Sequence, residues 1–370
     1  MQGSSAVPSG YRLPAEWSTH QATWFSWPHN PDTWTDYLPA VERILAEAVA
    51  ALAKGEVVRI NVRDSGHGYH VQKLLAGKVP PDKVLLHQFP TNDAWCRDHG
   101  AIFVTRAAEP GAEPGAEPGA EPGSAPGSGQ LSTLKALDFQ YNAWGGKYPP
   151  YDLDNGIPQR MATALGVPCQ EVPMVLEGGS IEVNGQGLLL TTEQCLLNPN
   201  RNPGLTREQI ESQLKSLLGI TQIVWLGDGI VGDDTDGHID DLTRFVAEDL
   251  VVTAVEQDPA DENYQPLLEN RERLAGVRLP DGRPLRVMEL PMPAPLYRGS
   301  NRLPASYANF YVGNRVVLLP TFNCPADEEA AAILARCFPG RRIVSLDCRD
   351  VVVGLGTFHC LTQQVPVAPE

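Results

Sequence analysis

The sequence predicts an α/β fold made of repeated strand–strand–helix–strand units that close into a ring. The same order of elements returns along the chain although the residues differ, and Asn-Gly or Gly-Asn pairs mark hairpin turns inside two of the units. The two ends of the chain read as complementary halves of one unit, which favours a closed ring over a linear stack. An ordinary open α/β sheet is the alternative.

The clearest unit covers residues 179–226. It reads as the strand SIEV, the turn NGQG, the strand LLLTT, a helix and the strand IVWLG. Thr206 and Gln209 have the spacing of a capping box at the start of that helix, and Gly219 provides its stop signal. The period of the apolar residues between them indicates one buried helix face.

Two more units follow in the same order. Residues 239–290 read as LTRFVA, LVVTAV, a polar helix from about Pro259 to Leu274, and RVMELP. Residues 308–347 read as NFYV, RVVLLP, the helix ADEEAAAILARCF, and RIVSLD, with a Gly-Asn turn between the first two strands.

The first two units along the chain are less regular. GAIFV, LKALDFQYN, NGIPQRMATALG and CQEVPMVL make one of them, and the other combines ATWFSWP, a helix around Leu38 to Ala53 and VVRINV with the C-terminal LTQQVPV. Residues 107–129 form a Pro/Gly/Glu repeat that cannot bury apolar surface, so they predict a disordered surface insertion in a hairpin. Residues 1–370 are therefore predicted to form a single catalytic domain.

Composition narrows the possible functions. The formal charge of −16 over 370 residues argues against binding nucleic acid or an anionic membrane, and suits either attraction of cations or simple solubility. Seven cysteines without CxxC spacing suggest neither a disulfide framework nor a zinc ribbon. No export signal or membrane-spanning apolar run is recognisable, so we expect a soluble, cytoplasmic protein.

Titratable residues recur at one position of the repeated unit. Asp98, Glu177 and His238 each come just before a run that reads as the first strand of a hairpin, and Cys360 precedes the C-terminal strand. This repetition predicts that they converge in one site. A thiol, an imidazole and several carboxylates are the groups needed for nucleophilic attack on a cationic, nitrogen-rich carbon.

Each of these residues also has an ordinary structural interpretation. An unpaired cysteine is more often a core residue, but the glycines and polar residues around Cys360 favour a reactive thiol. His238 and Asp240 would face the same way along an incipient strand and contact one ligand. The five aspartates between residues 233 and 241 are too many for a core, so they predict a solvated face or a cation site. A guanidinium suits this mixture better than a metal ion does.

The chain resembles a known family in six ordered motifs that span nearly all of it outside the insertion. WCRDHG, LEGGSIEV, LLTTEQCLLNPNRNP, GDDTDGHIDD, SYANFYV and GLGTFHCLTQQ are similar to the signatures of agmatine deiminases, within the bacterial arginine deiminase-like family. The resemblance implies the pentein fold, a five-bladed α/β propeller with pseudo-fivefold symmetry. It also implies hydrolysis of agmatine to N-carbamoylputrescine and ammonia, in polyamine synthesis, without a cofactor or metal.

The resemblance assigns roles where the motif letters match. Cys360 would be the nucleophile that forms a covalent thiouronium adduct, and His238 the general acid and base. Asp98 and Asp240 would grip the guanidinium, and Glu177 would orient His238 and balance its charge. Because carboxylates near Cys360 suppress its ionisation, we expect the substrate cation to assist formation of the thiolate.

The distal end of the substrate is less constrained. Asp234 and Trp95 are candidates to hold the second ammonium of agmatine, whereas free arginine would need a cation such as Arg97, Arg244 or Arg298. Two alternatives remain open, a peptidylarginine deiminase and a polyamine-binding protein without turnover. A homo-oligomer is possible.

One motif departs from the common pattern of the family. Cys96 and His99 bracket the Arg-Asp pair of WCRDHG and could alter reactivity near Asp98.

Overall fold

The structure is a computed structural model that describes residues 10–107 and 133–368. The predicted insertion therefore lies outside the described residues, apart from its first residue. The strands of the described part are, in chain order, β1 (His20–Ser26), β2 (Val57–Asn61), β3 (Val84–His87), β4 (Ile102–Thr105), β5 (Leu134–Gln140), β6 (Cys169–Val175), β7 (Glu182–Val183), β8 (Leu188–Thr192), β9 (Gln222–Leu226), β10 (Thr243–Ala247), β11 (Leu250–Val255), β12 (Arg286–Pro291), β13 (Tyr297–Arg298), β14 (Asn301–Arg302), β15 (Tyr311–Val312), β16 (Val316–Thr321), β17 (Arg342–Asp347) and β18 (Thr362–Pro366).

Helices and helical turns connect these strands. The α-helical segments of the described residues are α1 (Leu38–Leu52), α2 (Ser65–Leu75), α3 (Cys96–His99), α4 (Ala143–Gly146), α5 (Asp152–Asn155), α6 (Ile157–Leu165), α7 (Glu193–Leu196), α8 (Arg207–Leu218), α9 (Tyr264–Ala275), α10 (Ala326–Cys337) and α11 (Phe358–Leu361). The 3-10 turns are Pro81–Lys83, Gly178–Ser180, Ile239–Asp241, Tyr307–Asn309 and Val352–Gly354. Among the described residues, no helix has the length and apolarity needed to cross a membrane.

Most strands belong to five small sheets of the same design. Four sheets have the orders β4-β5-β6, β7-β8-β9, β10-β11-β12 and β15-β16-β17, and the remaining large sheet has the order β18-β1-β2-β3. In every one, the first two strands are antiparallel and the next is parallel to the second. A helix crosses over between the two parallel strands, namely α6, α8, α9, α10 or α1.

The predicted units are therefore present, and the two ends of the chain do share one sheet. The separate sheets rule out a single open α/β sheet for the described residues. Local sequence signals account for much of the agreement between the predicted and the observed elements. In α8, the Thr206 hydroxyl accepts the Gln209 N–H while the Gln209 side chain accepts the Thr206 N–H, and Gly219 ends the helix with a φ of 67°. The central strand β8 is buried along its whole length, as its apolar run indicates.

Several predictions differ from the structure in detail. In the unit at residues 239–290, the helix begins at Tyr264 and not at Pro259. The N-terminal unit has an additional helix, α2, and an additional edge strand, β3. Asp240 does not lie on an incipient strand with His238, because residues Ile239–Asp241 form a 3-10 turn. The prediction that the aspartates of this segment avoid the core is also wrong, since Asp240 and Asp241 are buried.

A short helical turn precedes the first strand of each of the five sheets. These turns are α3, Gly178–Ser180, Ile239–Asp241, Tyr307–Asn309 and α11. Each turn contacts the next along this series, and α11 contacts α3. The repeated unit thus brings five segments that are far apart in sequence around a common centre.

Candidate active site

Each of the five turns contributes a polar side chain to the centre. The predicted residues are Asp98 on α3, Glu177 just before its 3-10 turn, His238 and Asp240 on the third turn, and Cys360 on α11. All of them are buried: Asp98 is 4% and Cys360 5% exposed, while the other three are fully enclosed. The structure therefore places these five side chains in the ring of turns.

Cys360 lies between an amide donor and a carboxylate. The Asn309 Nδ2 atom donates a hydrogen bond to the Cys360 Sγ atom over 3.0 Å, and Sγ lies 3.6 Å from the Asp240 Oδ2 atom. The Asn309 Oδ1 atom accepts the backbone N–H groups of Thr357, His359 and Cys360. Since Oδ1 is occupied by these donors, the amide orientation is fixed and its N–H₂ group faces the thiol and Asp241.

Asp98 is held from two sides. Its Oδ1 atom accepts the backbone N–H of Gly179 over 3.0 Å, and its Oδ2 atom accepts the indole N–H of Trp144 over 3.0 Å. Gly179 is required here because a Cβ atom at that position would stand 2.6 Å from His238 Nδ1, 2.9 Å from Asp98 Oδ1 and 3.0 Å from Asp240 Oδ2. The side chains of His238, Asp98 and Asp240 thus converge on Gly179, which has no side chain.

Asp240 is tied to a buried network on its other side. Its Oδ2 atom lies 2.6 Å from His359 Nδ1, and His359 Nε2 lies 2.8 Å from Glu16 Oε2. Both ring nitrogens face carboxylate oxygens, an arrangement that is fully satisfied only when both carry a hydrogen. Burial would raise the pKa of Asp240, but His359 outweighs that effect and lowers it, which keeps this carboxylate charged.

His238 and Glu177 lie behind Asp98. His238 Nδ1 is 3.8 Å from Asp98 Oδ1, an ion-pair distance beyond hydrogen-bond reach. Glu177 Oε1 accepts the Nε–H of Arg201 over 2.6 Å, and no hydrogen bond joins Glu177 to His238. A carboxylate oxygen of Glu177 lies within 4.8 Å of a ring nitrogen of His238, close enough to balance the charge of the imidazole. The predicted contact by which Glu177 would orient His238 is not made among the described residues.

The surroundings of the site raise the pKa of both reactive groups, the Cys360 thiol and the His238 imidazole. Burial raises the pKa of the Cys360 thiol well above its ordinary value, and the nearby carboxylates of Asp240, Asp241 and Asp98 raise it further. Burial would lower the pKa of His238, but the Asp98 carboxylate and other neighbours raise it well above its ordinary value. At neutral pH these shifts favour a protonated Cys360 thiol and a cationic His238 imidazole.

A cavity of about 1130 Å³ reaches this centre from the surface. Cys360, Asp98, Trp95 and Asp234 line it, whereas the three enclosed residues lie behind its wall. Seven of its lining residues are acidic, namely Asp32, Asp93, Asp98, Asp154, Asp233, Asp234 and Glu262. This surplus of carboxylates favours cationic ligands.

The two predicted distal residues differ in their surroundings. Trp95 is 4% exposed and packs near Trp34 and Trp144, with ring centroids 5.3 Å and 6.4 Å away, so it forms part of an aromatic wall beside the thiol. The Asp234 side chain is 41% exposed at the outer part of the cavity, where Lys147 Nζ lies 3.4 Å away and Tyr148 donates a hydrogen bond to it. A substrate ammonium would have to compete with Lys147 there.

The three arginines that were candidates to bind a substrate carboxylate lie in different surroundings. Arg97 and Arg244 are buried and pair with Glu16, so neither reaches the cavity. Burial would raise the pKa of Glu16, but Arg244, His359 and Arg97 together hold it well below its usual value. Only Arg298 of the three lines the cavity.

The two unusual residues around Asp98 are both buried. His99 Nε2 bonds the hydroxyl of Ser26 over 2.8 Å, and its Nδ1 atom lies 3.6 Å from Asp154 Oδ1. Burial would lower the pKa of His99, but the Asp154 carboxylate raises it to about 10. His99 is therefore a buried cation that supports the turn carrying Asp98, and Cys96 packs beneath it in the apolar core.

The sequence interpretation missed four site residues. Asn309 could have been found, because it occupies the same place before the first strand of its unit as the titratable residues of the other units. His359 and Arg201 lie in the motifs GLGTFHCLTQQ and LLTTEQCLLNPNRNP, but their roles were not predicted, and Trp144 gave no signal, because the contacts of all three join segments that no local pattern connects.

One group of side chains in the described residues has the composition of a metal site. An oxygen of Glu177, the thiol of Cys195 and a ring nitrogen of His238 all lie within 4.8 Å of one another. Cys195 belongs to the short helix α7 and is fully buried.

The fold and the site together define an α/β protein with a cysteine and a carboxylate in the wall of an acidic cavity, and a histidine and further carboxylates buried behind them. The sequence profile of the Porphyromonas-type peptidyl-arginine deiminase family matches residues 12–366. An agmatine deiminase of Ectopseudomonas mendocina is 34% identical over 384 residues, which cover 98% of this chain and 96% of that protein. This chain belongs to the Porphyromonas-type peptidyl-arginine deiminase family.

Solved structures of related proteins have the same fold. The agmatine deiminase of Enterococcus faecalis aligns with a TM-score of 0.85 and 29% identity over 99% of each chain. The agmatine deiminase of C. jejuni with substrate bound aligns with a TM-score of 0.82 and 31% identity over 97% of each chain. The α/β fold is therefore that of the agmatine deiminases.

Proposed function

We propose that this protein is an agmatine deiminase, a hydrolase that converts agmatine and water into N-carbamoylputrescine and ammonia. The observation that carries this proposal is the placement of Cys360, Asp98, Asp240 and His238 around one centre at the floor of an acidic cavity. The names of the relatives point to the same reaction.

The proposed reaction begins with the substrate guanidinium between Asp98 and Asp240. Its planar array of N–H groups matches two carboxylates that approach from different edges. The positive charge also lowers the pKa of Cys360 from its raised value in the empty site, because it offsets the carboxylates that suppress the thiolate. Substrate binding thereby generates the nucleophile in place.

Covalent chemistry then proceeds in two stages. The Cys360 thiolate adds to the guanidinium carbon, and His238 gives a proton to one nitrogen, which leaves as ammonia. The thiouronium adduct remains. His238 next takes a proton from water, the hydroxide adds to the same carbon, and the C–S bond breaks to release the ureido product and Cys360.

Asp234 and Trp95 would hold the distal part of agmatine in this scheme. Trp95 offers an aromatic face beside the thiol, and Asp234 offers a charge farther out in the same cavity. Glu177 would act as a charge partner of His238. The reaction needs no cofactor or resident metal in this proposal.

A peptidylarginine deiminase is the second candidate function. The cavity exceeds the space that a molecule of agmatine's size needs, since pockets for much larger ligands fall in the range of about 300–1,000 Å³. A binding protein without turnover is the third. It would not need Cys360 and His238 together.

One experiment separates these functions. Ammonia release is measured with agmatine, free arginine and a blocked arginine peptide in parallel, with Cys360→Ser as the control. We expect release from agmatine alone, abolished in the variant. Release chiefly from the peptide would support the second candidate, and saturable agmatine binding without ammonia would support the third.

We also propose that the five sheets form a closed five-bladed propeller with pseudo-fivefold symmetry. Its support is the cyclic series of contacts among the five turns and the pairing of β18 with β1. Residues 1–370 would then be one catalytic domain, interrupted only by the insertion at 107–129. Joining the native ends and opening the chain at the exposed Asp281–Gly282 turn should leave a folded, active enzyme, and an unfolded product would contradict the ring.

The remaining proposals concern the context of the enzyme. We expect deletion of the 107–129 insertion to leave turnover intact, and a large loss would show that it reaches the site. We propose that the protein acts in the cytoplasm, which fractionation of the source cells would test. Light scattering of the purified protein would establish whether it forms a homo-oligomer.

A further inference from the structure

A buried cluster of three side chains with the composition of a metal site includes two residues of the proposed catalytic centre. Glu177, Cys195 and His238 come from three separate segments, and one potential ligand atom of each lies within 4.8 Å of the other two. All three residues are completely enclosed. Cys195 has no part in the reaction described above.

The ligand atoms of this cluster are poorly satisfied within the protein. Glu177 Oε2 and both ring nitrogens of His238 lack a hydrogen bond of good geometry among the described residues, and the contacts of the ring with the Asp98 carboxylate and the Cys195 thiol are longer electrostatic ones. Polar atoms that stay unpaired in the interior destabilise the folded state, because they have lost their hydrogen bonds to water. A cation that accepts an oxygen, a sulfur and a nitrogen at once would satisfy the cluster.

The chemistry of the ligands selects the kind of ion. Magnesium and calcium prefer oxygen ligands and would not use the thiol. Zinc binds carboxylate, thiolate and imidazole together, with bonds of about 2.0–2.3 Å, so ligand atoms around a tetrahedral ion are about 3.3–3.8 Å apart. The present spacing of up to 4.8 Å has to contract by up to about 1.5 Å for this geometry.

Charge also fits a divalent ion. The Glu177 carboxylate and an ionised Cys195 carry two negative charges, and a zinc ion would balance them. Arg201 occupies Glu177 Oε1 and leaves Oε2 free. Burial raises the pKa of the Cys195 thiol. Burial would lower the pKa of His238, but the Asp98 carboxylate raises it. The ion must therefore displace one proton from the thiol and one from the imidazolium when it binds.

We propose that Glu177, Cys195 and His238 form an inhibitory binding site for zinc or a similar thiophilic divalent cation. The ion is not a cofactor. It occupies the imidazole that must exchange protons during turnover, so the metal-loaded protein is inactive until the ion leaves. The binding site stands independently of the reaction, whereas the inhibition rests on the proposed function.

The cavity provides a route to this site. Asp98 lines the cavity and its Oδ1 atom is 3.8 Å from His238 Nδ1, so the ring lies close behind the cavity wall at this residue. The acidic lining concentrates cations at the same wall. A metal ion would therefore enter along the path that the substrate uses.

The test uses Cys360→Ser as the starting protein, because that variant retains all three proposed ligands and lacks the competing thiol that lines the cavity. Zinc content is measured after equilibrium dialysis, and cobalt binding is followed by its thiolate charge-transfer absorbance. We expect one ion per chain in Cys360→Ser and none at this site when Cys195→Ser is added. Cys337→Ser, which removes a half-buried thiol elsewhere, serves as the matched control and should retain the ion.

Glu177→Gln in the same background provides a second variant if removal of Cys195 prevents folding. It keeps the shape of the side chain, removes its charge and should weaken zinc binding at least tenfold. Loss of the ion from Cys360→Ser itself, with retention in Cys195→Ser, would overturn the site and place the metal on the nucleophile. Equal binding in all variants would also overturn it.

Inhibition is then measured in protein that carries Cys360. We expect zinc to suppress ammonia release reversibly, with a chelator restoring it, and Cys195→Ser to need at least tenfold more zinc for the same suppression. Binding without inhibition would contradict only the inhibitory role. Absence of ammonia release from every substrate would contradict the proposed function and leave the dialysis result intact.

Discussion

The side-chain amide of Asn309 donates a hydrogen bond to the Sγ atom of Cys360 over 3.0 Å. The same amide accepts three backbone N–H groups from the segment that carries the thiol. Asn309 therefore fixes the position of Cys360 and also favours its thiolate, because a hydrogen bond to the charged form stabilises that form.

Asn309→Ala should lower kcat by about 10- to 100-fold, which corresponds to the roughly 1.5–3 kcal/mol of a hydrogen bond to a charged group. The pKa of Cys360 should rise further, so alkylation by iodoacetamide should slow at a given pH. Asn314→Ala is the matched control, since the Asn314 side chain bonds the backbone of His20 and Gly55 and not the segment that carries the thiol. Equal kinetic losses in both variants would argue for a purely structural role.

Ionisation of Cys360 should depend on the substrate cation. The pKa of this thiol is raised by burial and then by its carboxylate neighbours, so the empty enzyme should show little thiolate at pH 7. A guanidinium compound that is not turned over should increase thiolate absorbance, measured as the difference between the wild type and Cys360→Ser. An unchanged difference spectrum would exclude substrate-assisted ionisation.

His238 should remain cationic well above pH 6.5. Its pKa is raised because the Asp98 charge and other neighbours outweigh burial, and a raised pKa keeps the proton as pH increases. NMR titration of labelled histidine in Cys360→Ser would measure it. Adding Asp98→Asn should lower the pKa, and a neutral His238 at pH 7 in the Cys360→Ser protein would contradict the proposed proton donor.

His99 should contribute a pH-dependent part of the stability. Its pKa is about 10 in the folded state, against an ordinary value near 6.5, so its contribution is complete below about pH 6.5 and is lost as pH rises towards 10. His99→Gln should reduce the free energy of unfolding by about 3 kcal/mol at pH 6. The difference from wild type should shrink between pH 7 and 10 in denaturant titrations, and a constant difference would show that His99 is neutral.

Asp234 should affect substrate affinity more than turnover. Because its side chain is partly exposed and already paired with Lys147, Asp234→Asn should raise the KM for agmatine only about two- to fivefold, with kcat nearly unchanged. Lys147→Ala should lower the KM by a similar factor, since it removes the competing cation. Opposite shifts in steady-state kinetics would support the contact, and parallel shifts would exclude it.

Much of the fold could be predicted because its signals are local. The capping box of α8, the hairpin turns and the apolar runs of the central strands are each contained in a few consecutive residues. Their repetition also revealed which residues stand at the start of each unit. That is why Asp98, Glu177, His238 and Cys360 could be named without coordinates.

The kinds of elements, their order and the residue types available for chemistry can all be read from local sequence patterns. Which side chains touch depends on the folded arrangement, because the contacts that build the site join residues far apart in the chain. Asn309 meets Cys360 across 51 positions, and Glu16 meets His359 across 343. Asp240 likewise is buried, against expectation, because the interior supplies His359 to stabilise its charge, which no local pattern records.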